Sequence, residues 1–247
     1  MSNFKKMIAI IGTTGGIGQS FLDQYIADDQ VLHIYSFARR ELNINSEKVT
    51  HHYIDICNES TIKTATESLP ENLHFDIIIV ATGILHSNKI KPEKTINSLT
   101  ASSFLDVLQI NTAGPALALK YFLPYLRPKT RAVFAVLSAR VGSISDNQLG
   151  GWYSYRASKA ALNMIIKTTA IEQQRKHTDH IIVGLHPGSV DTPLSKPFQQ
   201  RSKNTFFTPE NSVLYLSISS FLSLCGIPKL AAFTLVKVSS ITSPSGS

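Results

Sequence analysis

A short apolar run at residues 7–11 passes directly into Gly12-Thr13-Thr14-Gly15-Gly16-Ile17-Gly18, and from there into helical spacing at residues 17–27. No other feature restricts the fold of this chain as strongly. A glycine at 12 permits a tight turn, one at 16 lets backbone approach a pyrophosphate, and one at 18 lets the helix pack closely on the strand. The helix start would turn free N–H groups and the positive end of its dipole toward a phosphate. Thr14, Gly15 and Ile17 complete the expected cradle. A plain strand–helix turn is the alternative reading of such a cluster; its position directly after the first strand favours phosphate binding.

The rest of the chain repeats the alternation. Residues 31–37, 75–80, 132–137 and 181–185 are rich in β-branched or aromatic residues and read as strands, with a weaker strand at 49–54. Residues 60–68, 100–126 and 154–176 have helical spacing. Continuous apolar strands separated by helices imply a parallel sheet covered on both faces. The expected fold is a single-domain, doubly wound, Rossmann-like α/β architecture over residues 1–247, with its ligands at the carboxyl ends of the strands. At 43% hydrophobic and 17% charged residues, composition excludes a disordered chain. Cys57 and Cys225 lie far apart without CxxC spacing, which argues against a disulfide scaffold or zinc site and fits a reducing compartment. The first apolar run is too short for a signal peptide, so a cytoplasmic protein is expected.

The net charge is +7, but basic residues are scattered apart from small groups such as Lys5-Lys6 and Arg39-Arg40, so no nucleic-acid partner is expected. Beyond Glu210 the 37 residues contain no Asp or Glu, ten serines and two lysines. Residues 213–238 are largely apolar but broken by Gly226, Pro228 and Lys229. A packed helix followed by a strand at 233–238 fits this better than a membrane span.

The end of the second strand selects among dinucleotides. An acidic residue there would bind the ribose hydroxyls of NAD. This chain has Ser36-Phe37-Ala38-Arg39-Arg40 instead. Arg39 and Arg40 could hold a 2′-phosphate by charge-assisted hydrogen bonds, which favours NADP(H) over NAD(H). A solvated surface pair is the alternative.

Tyr155 and Lys159 are four residues apart, on one face of the long helix. A free tyrosine, with a pKa of about 10, is a poor acid or base near neutrality. A nearby ammonium favours the phenolate and would lower that value. Tyr155 could then exchange a proton with a carbonyl or alcohol oxygen. A core tyrosine beside an exposed lysine is the other reading of the spacing alone.

The glycine loop, Tyr155-Arg156-Ala157-Ser158-Lys159 and the downstream His-Pro-Gly-Ser-Val-Asp-Thr-Pro at 186–193 occur together and in order. Over about residues 7–210 the chain resembles the short-chain dehydrogenases/reductases. Residues 138–163 are similar to the C-factor-like and sniffer-type carbonyl reductases. The resemblance implies an oxidoreductase that moves a hydride between a nicotinamide and a small carbonyl or alcohol substrate, as a homodimer or homotetramer. It implies Tyr155 as general acid/base, Lys159 as its activator and ribose ligand, Ser138 as the substrate-oxygen partner, and Asn111 in a water-linked proton relay. It further implies Asp55 and Ile56 beside adenine, the 81–83 turn close to the cofactor, and Pro187, Gly188, Val190 and Thr192 closing over nicotinamide. The rival reading is a dinucleotide-binding regulatory protein on the same fold.

The chain departs from the family in places. Val80-Ala81-Thr82-Gly83 stands where the family has Asn-Asn-Ala-Gly, and only the glycine matches. Ser138 lies 17 residues before Tyr155, a longer interval than the family's, and Ser143, 12 residues before it, is a second candidate. A loop insertion around residues 145–151 accounts for the difference, and the strand-end position favours Ser138. The substrate walls are expected at 84–97, 139–152 and 193–208, with Ile84, His86, Trp152, Leu194 and Phe198. The acid-free tail also departs from the family, through either a divergent ending or a shifted reading frame.

Overall fold

The computed structural model describes residues 5–176, 178–201, 206–216 and 235–237. Six strands alternate with mostly helical connections along the chain: β1 (Lys6–Ile11), β2 (Val31–Ala38), β3 (Val49–Tyr53), β4 (Ile77–Val80), β5 (Val133–Leu137) and β6 (Ile181–His186). Together with β7 (Leu235–Lys237) they form one sheet in the order β3-β2-β1-β4-β5-β6-β7. Every pairing is parallel. The chain works outward from β1 to β3, then returns to the other side of β1 with β4. That reversal opens a crevice at the carboxyl ends of β1 and β4, where sheets of this kind bind ligands.

Alternation along each strand supplies two cores. Ala9 and Ile11 of β1, Ile78 and Val80 of β4, and Phe134 and Val136 of β5 face one side. Ile8 and Ile10, Ile77 and Ile79, and Val133 and Ala135 face the other. Helices α2 (Glu59–Glu67), α4 (Gly114–Phe122) and α5 (Tyr153–Arg175) contribute Ile62, Phe122 and Leu162 to the first core. Helices α1 (Gly16–Ala27) and α6 (Pro209–Leu216) contribute Phe21, Leu22 and Val213 to the second. Both faces of the sheet are therefore buried, as the apolar strands required.

The helix expected over 100–126 is not continuous. It runs as α3 (Ala101–Leu108), one wide π-type turn (Gln109–Ala113), α4, and a tight turn at Leu123–Tyr125. Pro115 has no N–H to give the carbonyl four residues back, that of Asn111, so the regular ladder is interrupted there. The wide turn drives Asn111 and Thr112 inward, where both are buried. Gly114 follows it, and a Cβ there would lie 2.6 Å from both Ile56 Cγ1 and the Ile56 carbonyl oxygen. The strand expected from residue 75 begins at Ile77, because Asp76 is drawn into an ion pair with Arg127 at 2.6 Å. Phe75 makes a separate bridge to Leu126.

In the tail, α6 starts at Pro209, and its Ser212 hydroxyl donates to the Pro187 carbonyl at 2.8 Å. Strand β7 lies within the range expected for it. The continuation of the expected helix past Leu216 lies outside the described residues. Among the described residues no helix is long and apolar enough to cross a membrane.

Candidate active site

Gly12 ends β1 with φ +97°, and a Cβ there would stand 3.0 Å from Thr82 Cγ2 and 3.1 Å from the Ala81 carbonyl carbon. The glycine brings the ends of β1 and β4 together, and the Ala81 N–H donates to the Ile11 carbonyl at 2.7 Å. A Cβ on Gly18 would sit 2.1 Å from the Gly12 carbonyl oxygen, so the first turn of α1 lies directly on the loop. Gly16 meets Thr192 in the same way, at 2.9 Å, which brings the 187–193 segment over the loop. The N-terminus of α1 has no side-chain cap and no acidic residue in its first turn. Buried Thr13 faces away and bonds Ser36 at 2.8 Å, which bonds His51 Nδ1 at 3.0 Å. The Thr82 hydroxyl is buried without a partner beside the loop. An uncapped helix start, glycines at 12, 16 and 18 too closely packed for a Cβ, and an orphaned hydroxyl fit a dinucleotide phosphate group.

Arg40 reaches back across the loop, donating from Nη2 to the Thr14 carbonyl at 2.6 Å. Exposed Arg39 lies within electrostatic range of Cys57, whose thiol is pushed up chiefly by burial. Asp55 accepts the Cys57 N–H on Oδ1 at 3.0 Å, and Ile56 packs under Gly114. Arg39 and Arg40 thus follow the carboxyl end of β2, and Asp55 and Ile56 that of β3, on the β2 side of β1.

Tyr155 stands in the first turn of α5, and Lys159 follows one turn later, 3% exposed. Lys159 Nζ donates to the Leu137 carbonyl at 3.0 Å, at the end of β5, and lies 5.9 Å from the centre of the Tyr155 ring. Asn111 reaches in from the wide turn. Its Oδ1 accepts the Ile84 N–H at 2.7 Å, and its Nδ2 donates to the Ile84 carbonyl at 2.8 Å and to Ser158 Oγ at 3.1 Å. Ser158 donates in turn to the Tyr155 carbonyl at 2.8 Å. This web joins the β4 loop, the wide turn and α5. A Cβ on Gly83 would be 3.5 Å from Asn111 Oδ1 and 3.6 Å from Lys159 Nζ.

Ser138 is buried at the end of β5 and donates its hydroxyl to Asn163 Oδ1 at 2.6 Å. Ser143 lies beyond the turn at Arg140–Gly142, with its Oγ 3.4 Å from that of Ser145. Of the two candidates, Ser138 is thus the one adjoining the carbonyl that holds Lys159.

Spacing alone suggested that Lys159 lowers the pKa of Tyr155. Burial works in the opposite direction: it pushes the phenol up to about 12 and the Lys159 ammonium down to about 8. Desolvation penalises both charged forms, and the ammonium donates to the Leu137 carbonyl.

On the substrate side, three of the expected wall residues form an aromatic run that ends on Tyr155. His86 meets Phe198 at 5.5 Å, Phe198 meets Trp152 at 5.3 Å, and Trp152 meets Tyr155 at 6.2 Å, all edge-to-face. Leu194 is half-buried in the adjoining segment. His86 also bonds the Pro193 carbonyl at 3.1 Å. Gly188 takes φ +79°, and Val190 is buried and bridges Phe207.

Sequence reasoning missed Asn163, Ser158 and Gly142. Asn163 lies one helical turn beyond Lys159, a spacing that could have marked it. Gly142 packs its backbone on α5, where a Cβ would stand 2.7 Å from the Lys159 carbonyl carbon, and no local pattern signals it.

A doubly wound parallel sheet with a glycine loop at its switch point defines a Rossmann-like, nucleotide-binding α/β protein. The chain belongs, more narrowly, to the short-chain dehydrogenase family, whose model matches residues 6–203, and it is thereby a dehydrogenase/reductase. It is 25% identical over 205 residues to benzil reductase ((S)-benzoin forming) of Bacillus subtilis (strain 168), covering 81% of each chain. The carbonyl reductase Sniffer of D. melanogaster superposes with a TM-score of 0.76 at 22% identity, covering 94% of this chain and 96% of that one. An NADPH-bound carbonyl reductase from chicken fatty liver superposes with a TM-score of 0.72 at 24% identity, covering 85% and 84%.

Proposed function

We propose that this protein reduces a small, apolar carbonyl compound with NADP(H) as its cofactor, Tyr155 giving the proton to the carbonyl oxygen. The observation that carries the reading is the convergence of Tyr155, Lys159 and Asn111 with Gly83 at the strand ends beside the glycine loop. NADPH supplies the hydride when bound. The 12–18 loop with Thr82 would hold its pyrophosphate, Arg39 and Arg40 its 2′-phosphate, and Asp55 and Ile56 its adenine. Pro187, Gly188, Val190 and Thr192 would close over the nicotinamide end. The NADPH-bound chicken enzyme of the same fold supports the cofactor.

Tyr155, held protonated by burial, is a proton donor across the neutral range. Lys159 keeps its charge below about pH 8 and stabilises the phenolate left after transfer. Ser138 would turn its hydroxyl from Asn163 to donate to the carbonyl oxygen, and Asn111, tied to both Ile84 and Ser158, would hold the far end of a proton path. The aromatic run from Tyr155 to His86 suits ring-bearing ketones and diketones, in keeping with the benzil reductase relative. Exposed Leu105 on α3 and Met164 on α5 support a homo-oligomer formed through these helices.

The test is the initial rate of NADPH oxidation across aldehydes, diketones and quinones, run beside NADH. Faster turnover with NADPH, highest on aryl diketones, is expected. NADH preference, or no oxidation of either cofactor across the panel, would contradict the reading.

A further inference from the structure

Among the described residues, the buried charged side chains are Lys159 and Glu93. Lys159 belongs to the site above. Glu93 comes from the substrate-side loop at residues 84–97, and burying a carboxylate is costly unless it is well hydrogen-bonded. Its partners lie 61 residues further along the chain, at the start of the helix that carries Tyr155.

The chain enters α5 through three consecutive left-handed residues: Gly150 at φ +62°, Gly151 at +63° and Trp152 at +52°. Glycine adopts this conformation freely, whereas a bulky residue holds it only where its surroundings insist. Trp152 stands at the N-cap position of α5 and provides no side-chain cap. Glu93 supplies what it lacks. One carboxylate oxygen accepts the Ser154 N–H at 3.2 Å, and the other accepts the Ser154 hydroxyl. The Glu93 carbonyl accepts the Trp152 N–H at 2.5 Å, and a Cβ on Gly151 would come within 3.4 Å of that same oxygen. The result aims the Trp152 ring at Tyr155 and at Phe198.

We propose that Glu93 is a positioning residue for the reaction: it locks the left-handed turn and the first turn of α5 to the substrate loop, so that Trp152 and Tyr155 meet the carbonyl in one fixed geometry. The inference rests on the carbonyl-reductase reading above. It assigns Glu93 no contact with substrate.

Trp152 is the only tryptophan in the chain, so tryptophan-selective fluorescence reports on this turn directly. Glu93→Ala is expected to make Trp152 more accessible to acrylamide and to lower kcat about 10- to 100-fold, with the NADPH dissociation constant from calorimetry held within about twofold. Glu93→Gln, which keeps the shape and one acceptor, is expected to recover part of both losses. Unchanged quenching and kcat in both variants would overturn the proposal. So would a parallel loss of kcat, NADPH affinity and melting temperature in both, which marks a general structural role. If Glu93→Ala does not fold, Glu93→Gln and Ser154→Ala decide the matter: coupled changes in quenching and kcat support the proposal, and no change in either overturns it. A wild type without reductase activity would overturn the functional reading instead, and quenching would still decide whether Glu93 holds the turn.

Discussion

Lys159 is a buried ammonium whose nearest acceptor is a neutral carbonyl, and two expectations follow from its pKa of about 8. Carbonyl reduction by Tyr155 needs the phenol protonated and the ammonium charged. The phenol stays protonated up to about pH 12, so the lysine sets the alkaline limit. The kcat/KM for reduction should fall as pH rises through about 8. An initial-rate profile that stays flat to about pH 10 would contradict this. The same group affects stability. Its folded pKa lies below its unfolded value of 10.5, so between about 8 and 10.5 the unfolded chain binds more protons. Its contribution to stability therefore rises with pH across that window, and below it the buried charge costs about 3 kcal/mol. Lys159→Met should melt at a higher temperature than wild type at pH 7 and turn over far more slowly; a lower melting point would contradict the account. Arg40 is a simpler case. It already lies across the phosphate loop, and Arg40→Ala should raise the KM for NADPH about 10- to 100-fold while leaving that for NADH nearly unchanged.

The wide turn between α3 and α4 performs two tasks at once. It turns Asn111 toward Ile84 and Ser158, and it brings Gly114 against Ile56. Gly114→Val would force these elements apart and should cost about 1–3 kcal/mol, read as a lower denaturant midpoint, together with weaker NADPH binding. An unchanged midpoint would show that α4 can shift without loss. Helical periodicity did not reveal this turn. One inserted residue leaves the apolar rows intact on either side, and the residues at the insertion, Thr112 and Ala113, are small. Pro115 was the visible signal, since it removes a ladder hydrogen bond. Phe75 reads as part of β4 because it heads a mostly apolar run, while the ion pair of Asp76 with Arg127 depends on a residue 51 positions away.

At the scale of the whole molecule, the parallel sheet and its two covered faces were legible, because a strand buried on both sides must be apolar throughout. The glycine loop was legible because its spacing is local. Tyr155 and Lys159 were legible as a pair because one helical turn separates them. The contacts that assemble the candidate site were not. Ser138 with Asn163, Asn111 with Ile84 and Glu93 with Ser154 join separate elements, and no periodic pattern records such pairings. Nor did spacing convey how burial would act on the Tyr155–Lys159 pair, since desolvation depends on everything packed around it. The central claim concerns one proton. Turnover of an aryl diketone by Tyr155→Phe, measured beside NADPH binding by calorimetry, tests it most directly. The variant is expected to bind NADPH as the wild type does and to lose nearly all turnover; turnover equal to that of the wild type would show that Tyr155 does not supply the proton.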